Sequence, residues 1–398
     1  MRIKVLAFLL IIFCACGRKS TNEKYNPGLV IKIDLLSKSG SEVTRLSEFA
    51  ANVEHIPLET TGSSFMGTVR RRIVKNDNKI YIQNADELLC FDTDGKFLFK
   101  LQNKGRGPEE YTSITDFDIS SDNKIMAVLS SINRKMLVYG ISDTGFIFRR
   151  SITLKDPAPW RASMVPGTDK VFLAIAPWTG TEPTLSLLIN IVGDTILFKP
   201  NGYKYNMVRE RNYMALNEML VYTINNMVCF KEEFSDTVFC INVKDNSFKP
   251  RMIFDSHGTL STPEMRGGSE TSADHTNFIA NIFETSRYIF YYYGTSITRN
   301  KILFDKKTNI KYNLDIESKL KDDISGGPDF NLEFINNYYS GGKLFSFVEA
   351  ITLKKYVASE DFKDAQVSDP KKKNDLEKLA DSLNETDNPV LIIVTPKE

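Results

Sequence analysis

The chain has 398 residues, of which 42% are hydrophobic and 25% are charged, a composition that excludes a mainly disordered protein. Its 51 Lys and Arg residues balance 50 Asp and Glu residues, and no long basic run occurs, so we expect no nucleic-acid partner. Phe (26) and Tyr (16) are abundant, whereas Trp (2) and His (3) are scarce. This favours β structure and leaves few side chains for metal binding or proton transfer, so we expect neither a metal nor another cofactor.

The N-terminus has the pattern of an export signal. Arg2 and Lys4 precede an apolar run of 11 residues, Val5 to Ala15, which is too short to span a bilayer but typical of a signal peptide. The sequence from Phe13 to Cys16 resembles a bacterial lipobox, in which the chain is cleaved before a cysteine that becomes lipidated. We therefore predict a signal peptide at 1–15, lipidation of Cys16, a flexible tether at 16–28 and a globular domain at 29–398. The alternative is that Cys14 and Cys16 are only apolar residues of a leader.

One short pattern recurs along the chain: a basic or amide residue followed by four or five β-forming residues after a turn. Successive copies begin 45, 46, 56, 61 and 56 residues apart. The six copies begin at Lys79, Lys124, Lys170, Asn226, Arg287 and Lys343.

Most copies have another short strand upstream and two strands downstream. The downstream pair is clearest from Leu88 to Leu101, where Asp94-Gly95 is a strong hairpin signal. Each unit is thus predicted to be a four-stranded antiparallel blade, and six units use up the chain. The fold we expect is all-β, a six-bladed β-propeller, in preference to two β-sandwiches.

The two ends of the domain carry spare strands. The C-terminal segment from Asn388 to Val394 predicts a buried strand, and Val30 to Leu36 and Val53 to Leu58 predict strands near the start. One of the early strands should pair with the terminal blade and close the ring, but the sequence does not decide which. Before the C-terminal strand we predict one helical insert at about 369–385, with Asp369 as its cap and Pro370 in its first turn.

Three cysteines follow the leader. Cys90, Cys229 and Cys240 all lie in apolar β-like runs, which favours buried small hydrophobes over a metal site. A Cys229–Cys240 bridge across adjacent strands is left open.

The stretch Gly105-Arg106-Gly107-Pro108-Glu109-Glu110-Tyr111 resembles the signature of the six-bladed β-propeller lipoproteins of Bacteroidetes, which are similar in organisation to NHL-type propellers. Segments Ile56 to Thr60, Ser235 to Phe239 and Asn388 to Leu391 fit the same family, and the region from Ser256 to Asn277 departs from it. The resemblance implies a lipidated, exported propeller, and it carries no catalytic residues over.

The loop from Gly105 to Tyr111 joins the first two blades. We predict a structural role for it, with Arg106 paired to a carboxylate or carbonyl and Tyr111 packed between blades. If the loop lines the channel mouth, Arg106, Glu109, Glu110 and Tyr111 are also candidate ligand-binding residues.

The two tryptophans lie at loop edges. Trp160 and Trp178 could stack on a sugar ring, although packing under the third blade is the simpler prediction. His257 and His275 share a polar loop with Glu270 and Asp274, but their spacing matches no metal or acid–base motif.

No hydrolase, metalloprotease or phosphate-loop motif is present in the sequence. We therefore favour a non-enzymatic scaffold in the bacterial envelope that is anchored to the membrane by lipid and binds a ligand, a glycan or a partner protein. The alternative is a propeller hydrolase or lyase that acts on a saccharide at the channel mouth, and a third possibility is a structural subunit of an outer-membrane assembly. We expect an outer-membrane lipoprotein, with the periplasmic side slightly favoured over the cell surface.

Overall fold

A computed structural model describes residues 30–68, 70–76, 78–155, 157–206, 219–268, 276–295, 298–315, 317, 319–332 and 339–398. The predicted signal peptide, Cys16 and the tether lie outside these residues. No helix of the described part is long and apolar enough to cross a membrane.

The described chain forms a six-bladed β-propeller, as the repeats predicted. Three strands precede the first blade: β1 (Ile31–Asp34), β2 (Glu42–Val43) and β3 (Ala50–Pro57). A 3₁₀ turn at Leu46–Glu48 lies between β2 and β3. Blade 1 contains β4 (Arg70–Lys75), β5 (Lys79–Asn84), β6 (Glu87–Asp92) and β7 (Phe97–Leu101). Blade 2 contains β8 (Asp116–Ile119), β9 (Ile125–Ser130), β10 (Lys135–Ile141) and β11 (Phe146–Thr153). Blade 3 contains β12 (Arg161–Met164), β13 (Lys170–Ala174), β14 (Thr184–Asn190) and β15 (Thr195–Pro200).

The second half of the ring follows the same plan. Blade 4 contains β16 (Met219–Ile224), β17 (Met227–Glu232), β18 (Thr237–Asn242) and β19 (Ser247–Asp255), and helix α1 (Pro263–Gly267) follows it. Blade 5 contains β20 (Phe278–Glu284), β21 (Tyr288–Gly294), β22 (Arg299–Asp305) and β23 (Ile310–Leu314). The pair β24 (Lys319–Leu320) and β25 (Phe330–Asn331) leads to blade 6, which begins with β26 (Tyr339–Ser340) and β27 (Lys343–Val348). Each of the six repeated segments lies in the second strand of its blade.

Blade 6 closes the ring with strands from both ends of the chain. Helices α2 (Ala350–Val357), α3 (Glu360–Asp364) and α4 (Pro370–Ser382) separate β27 from the last strand, β28 (Val390–Pro396). β28 pairs antiparallel with β27 and with β3, so the sheet order is β26-β27-β28-β3. The second of the two early strands therefore closes the ring. The first, β1, instead adds a parallel strand to the outer edge of blade 4, as β2 does for blade 5.

The predicted helical insert lies where the sequence placed it, between the last two strands of the chain. Asp369 caps α4 by accepting a hydrogen bond from the backbone of Lys372 at 3.1 Å, and Pro370 is the first helical residue. Leu376 and Ala380 are buried against blade 6. The insert also contains α2 and α3, which the sequence analysis did not predict.

Hydrophobic packing between blades holds the ring together. Six separate clusters of buried side chains occur among the described residues, and each lies between two neighbouring blades. Tyr81 and Phe117, for example, are fully buried between blades 1 and 2. Each blade thus buries both faces, which explains why its strands carry apolar residues on both sides.

The Asp-Gly turn of blade 1 is sterically specified. Gly95 has φ +86°, and a Cβ atom there would lie 2.0 Å from the carbonyl oxygen of Pro57. The end of β3 therefore approaches the blade 1 hairpin so closely that only glycine fits. The Asp94-Gly95 hairpin, which the sequence predicted, therefore also forms part of the contact between the closing blade and the first blade.

Candidate functional site

The first strands of the blades surround the axis of the ring. β4, β8, β12 and β16 contact one another in turn, β16 contacts β20, and β26 contacts β4. Between them lies a cavity of about 300 Å³, which we call the channel cavity. Its wall includes Pro166 and Gly341, from turns that join the first and second strands of their blades. The cavity therefore extends to the end of the channel where these turns lie.

A cluster of charged side chains lies in the wall of the channel cavity. The Arg72 guanidinium on β4 forms an ion pair with Asp116 at 2.6 Å and another with Asp118 at 3.5 Å, both on β8. Arg72 also donates a hydrogen bond to the carbonyl oxygen of Ala162 on β12, at 3.2 Å. We call Arg72, Asp116 and Asp118 the Arg72 clamp, because it connects the first strands of three consecutive blades.

The two carboxylates of the clamp also bind the backbone of blade 3. Asp116 accepts a hydrogen bond from the amide of Ala162 at 2.9 Å. Asp118 accepts from the amide of Met164 at 2.8 Å and from the hydroxyl of Ser163 at 3.0 Å. These groups lie on the inner edge of a sheet, where no further strand supplies hydrogen bonds. The carboxylates thus supply the hydrogen-bond acceptors that a further strand would otherwise provide.

Both carboxylates are buried, with side-chain exposures of 2% for Asp116 and 11% for Asp118. Burial raises the pKa of the Asp118 carboxyl above its usual value, although Arg72 and the backbone donors oppose that shift. Every carboxylate oxygen of the clamp has a hydrogen-bond or ion-pair partner. The clamp is therefore a fixed part of the wall, and its oxygens are already occupied.

Arg161 is another cationic residue in the wall of the channel cavity. It is the first residue of β12, and its side chain lines the channel cavity. The guanidinium makes no hydrogen bond or ion pair with any residue that the structure describes. Its five N–H donors thus have no acceptor among the described residues, and the carboxylates of the wall are already paired.

A second buried network fixes the opposite wall. The hydroxyl of Tyr222, which lines the channel cavity, donates a hydrogen bond to Glu284 at 3.2 Å. Glu284 is completely buried and also binds Arg251 at 2.5 Å and Lys306 at 2.7 Å. Burial lowers the pKa of the Lys306 ammonium, against the effect of Glu284. The network joins blades 4 and 5 and holds the Tyr222 ring at the cavity wall.

The loop from Gly105 to Tyr111, which the sequence indicated as a candidate ligand-binding site, lies away from the channel cavity. Its Gly107 carbonyl accepts a hydrogen bond from Lys135 at 2.8 Å, and its Glu109 carbonyl accepts one from Tyr139 at 3.3 Å. Both donors are on β10, the third strand of blade 2, so the loop covers the blade rather than the channel. None of its residues lines the channel cavity.

Within this loop the side chains have different environments. Arg106 and Glu109 are exposed, and the Glu110 carboxylate accepts a hydrogen bond from the amide of Gly107 at 2.7 Å. A Cβ on Gly105 would lie 2.0 Å from that carboxylate, so a larger residue at this position would require the Glu110 side chain to move. Tyr111 is fully buried between blades 1 and 2, and its hydroxyl donates to the carbonyl of Asp86 at 2.9 Å. A ligand-binding role for these four residues stays a prediction.

The two tryptophans contact each other at the opposite end of the channel from the first-to-second-strand turns. The ring centroids of Trp160 and Trp178 are 5.3 Å apart with a 50° interplanar angle. Trp160 is 40% exposed and immediately precedes Arg161. Neither indole lines the channel cavity, and whether they bind a sugar stays a prediction.

The polar loop that His257 and His275 share lies partly outside the described residues. Glu270, Asp274 and His275 are among those outside them. His257 contacts the carboxylate of Asp34 at 3.1 Å on the outer side of blade 4. Within the described ranges, no group of three or more His, Cys, Asp or Glu side chains could hold a metal ion.

The cysteines are buried, as the sequence indicated. Cys229 and Cys240 are directly opposite each other on β17 and β18 and form a disulfide, with a Cα–Cα distance of 4.0 Å. Cys90 is free and buried. The alternative that the sequence left open is thus decided in favour of the bridge.

Sequence reasoning did not single out Arg72, Asp116, Asp118 or Arg161 as site residues. One signal was present: Asp116 and Asp118 are two positions apart in the first strand of a blade, and alternate residues of a strand share one face. A pair of charges at that spacing in a first strand could have indicated a channel-facing position. Arg161 carries no comparable signal, because its place in the channel wall depends on how neighbouring blades pack.

The fold and the cavity define a six-bladed β-propeller with a polar, partly ion-paired central channel. Within that class, the chain belongs to the family described as domain of unknown function DUF4934, whose model matches residues 30–395. No curated protein matches the chain significantly.

Two of the solved structures that match this chain come from Bacteroides. A candidate exported protein from Bacteroides fragilis is 18% identical with a TM-score of 0.67, and the match covers 93% of this chain and 100% of that chain. A member of the DUF4221 family from Bacteroides vulgatus is 11% identical with a TM-score of 0.47, and the match covers 87% of this chain and 97% of that one.

Proposed function

We propose that this protein is an exported, lipid-anchored scaffold of the cell envelope that binds a ligand in the channel cavity, or a partner protein on one face of the propeller, and does no chemistry on it. Export is supported by the signal-peptide pattern before Cys16 and by the likeness to a candidate exported protein. The observation that carries the binding function is the channel cavity, about 300 Å³ in volume, with walls fixed by two buried charge networks.

A preformed cavity of this kind suits binding. Ligand sites in proteins are usually concave, largely preformed and furnished with a few oriented polar groups. The Arg72 clamp and the Tyr222–Glu284 network hold their side chains in single positions, so little conformational entropy is lost when a ligand enters.

The competing function, a saccharide hydrolase or lyase, lacks a supporting observation. Such an enzyme needs a carboxylate that can give or take a proton at the substrate. Asp116 and Asp118 lie on one strand, and their oxygens already accept hydrogen bonds from blade 3. We therefore favour a binding function for the channel.

The test is purification of the native, lipidated full chain from its own envelope, followed by mass spectrometry of co-purifying proteins, glycans and small molecules. Cys16→Ala serves as the control for anchoring, and it should move the protein from the membrane fraction to the soluble fraction. The scaffold function predicts a stoichiometric bound molecule or partner. A preparation that holds none, and that turns over a saccharide, would favour the enzyme instead.

A further inference from the structure

We propose that the channel cavity binds a small monocarboxylate, and that Arg161 is the residue that holds its carboxylate group. This inference rests on the proposed binding function and specifies the chemical class of the ligand. It follows from the size of the cavity, its charge and the hydrogen-bond partners of its wall.

The size of the cavity limits the ligand. A volume of about 300 Å³ corresponds to about ten water molecules at about 30 Å³ each. The cavity extends along β12 from Arg161 to Pro166, which at about 3.3 Å per residue is a length of about 16 Å. A space of this size suits one small molecule, and it does not admit a folded partner.

The charge of the lining favours an anion with a single charge. The cations of the wall are Arg72, Lys75 and Arg161, and its anions are Asp116 and Asp118. Among the described residues of the wall, cationic side chains thus outnumber carboxylates by one. A ligand with one negative charge suits such a wall better than a phosphate dianion does.

The available hydrogen-bond donors lie on Arg161. Arg72 is held by two carboxylates and by a carbonyl of blade 3. Arg161 has no such partner among the described residues, although its side chain lines the same cavity. A planar guanidinium matches a carboxylate with two parallel hydrogen bonds. The geometry thus leaves one matched position for a carboxylate group, next to Arg161.

The position of Arg161 determines how the ligand is oriented in the cavity. Arg161 begins β12, whereas the turn residue Pro166 lies just beyond the end of that strand. A carboxylate on Arg161 would therefore lie at the end of the cavity away from the turns, with the rest of the ligand extending toward them. Polar residues such as Thr223 line this remaining space.

The experiment uses the full chain purified natively from its own envelope, because the ligand itself is unidentified. Small molecules are released by denaturation and identified by mass spectrometry, for wild type, Arg161→Ala and the control Arg150→Ala. Arg150 is exposed on the outer strand β11, away from the cavity. We expect the wild type and Arg150→Ala to release the same monocarboxylic acid, and Arg161→Ala to release at least ten-fold less. Thermal melts check that all three proteins fold.

The released acid is then added back to ligand-free protein and its binding is measured by calorimetry, beside its primary amide and inorganic phosphate. Binding of the acid alone, weakened at least ten-fold by Arg161→Ala, is the expected result. Equal binding of the amide, or release of the acid that is unaffected by Arg161→Ala, would overturn the proposal. If the protein instead carries a neutral molecule or only a partner protein, the monocarboxylate proposal fails while the scaffold function stands. A chain that carries nothing contradicts both.

Discussion

The side-chain amide of Asn388 donates a hydrogen bond to the backbone carbonyl of Glu59 at 2.8 Å, across 329 residues of sequence. The same amide donates to the carbonyl of Ser64 at 2.9 Å, and its oxygen accepts from the amide of Met66 at 2.8 Å. Asn388 is 1% exposed and lies just before β28. One asparagine thus connects the strand that closes the ring to the segment that leads from β3 into blade 1.

Asn388→Ala should destabilise the closed ring. The substitution leaves one amide and two carbonyls of the backbone without their side-chain partner in a buried place, at a cost of about 1–3 kcal/mol for each unsatisfied group. We expect the free energy of unfolding to fall by at least about 2 kcal/mol, measured by urea denaturation.

Asn388→Asp gives the matched comparison, because it keeps an acceptor for Met66 but sets carboxylate oxygens against two carbonyls. It should be at least as damaging as the alanine variant. Wild-type stability in either variant would show that the Asn388 bonds do not contribute to ring closure.

The disulfide should contribute measurably to stability. Cys229 and Cys240 are 11 residues apart, and cross-linking a loop of that size stabilises a folded protein by about 3 kcal/mol in the chain-entropy model. We expect reductant to lower the urea midpoint of the wild type and of Cys90→Ala by similar amounts. It should have no effect on the double variant Cys229→Ala/Cys240→Ala.

Labelling gives an independent check on the bridge. Iodoacetamide added to the unfolded, unreduced chain should modify Cys90 and leave Cys229 and Cys240 unmodified in a peptide map. Full labelling of all three without reductant would contradict the bridge.

More of the fold than of the candidate site could be predicted from the sequence. The six repeats, the Asp94-Gly95 turn and the cap at Asp369 are local signals, and the structure confirms each of them. Closure by β3 rather than β1 could not be predicted, since both early segments are apolar and the choice depends on which sheet edge each one meets. The channel cavity also escaped prediction, because its wall combines single residues from several blades and has no local motif.

Replacing Arg72 should lower the stability of the folded protein. Arg72→Met leaves Asp116 and Asp118 without their cation in a buried place, and breaking such a buried pair by removing one partner costs about 3–5 kcal/mol. We expect a loss of that order in the free energy of unfolding. The double variant Arg72→Met/Asp118→Asn removes one uncompensated charge and should recover part of it.

The comparison of these two variants separates charge from packing. If the lost contacts of the long Arg72 side chain caused the effect, Asp118→Asn would give no recovery. A loss below about 0.5 kcal/mol in the single variant would show that the clamp does not stabilise the fold.

Lys231 should make stability depend on pH in the alkaline range. It is 1% exposed, and its ammonium donates to the carbonyls of Glu232 and Glu233 at 3.0 Å each. Burial lowers its pKa from 10.5 to about 8, although Glu233 and Asp236 oppose that shift. Between pH 8 and 10.5 the unfolded chain therefore binds a proton at Lys231 that the folded chain does not.

Stability should thus rise with pH through that window and stay level with respect to this group below pH 8. Other groups also titrate there, so the quantity to measure is the difference in unfolding free energy between wild type and Lys231→Met. We expect the wild type to gain on the order of 3 kcal/mol relative to the variant from pH 7.5 to 10.5, because each pKa unit corresponds to about 1.4 kcal/mol. The exposed Lys244, replaced by Met, serves as the control for loss of a surface charge. A constant difference between wild type and Lys231→Met would mean that the buried lysine keeps its proton throughout the window.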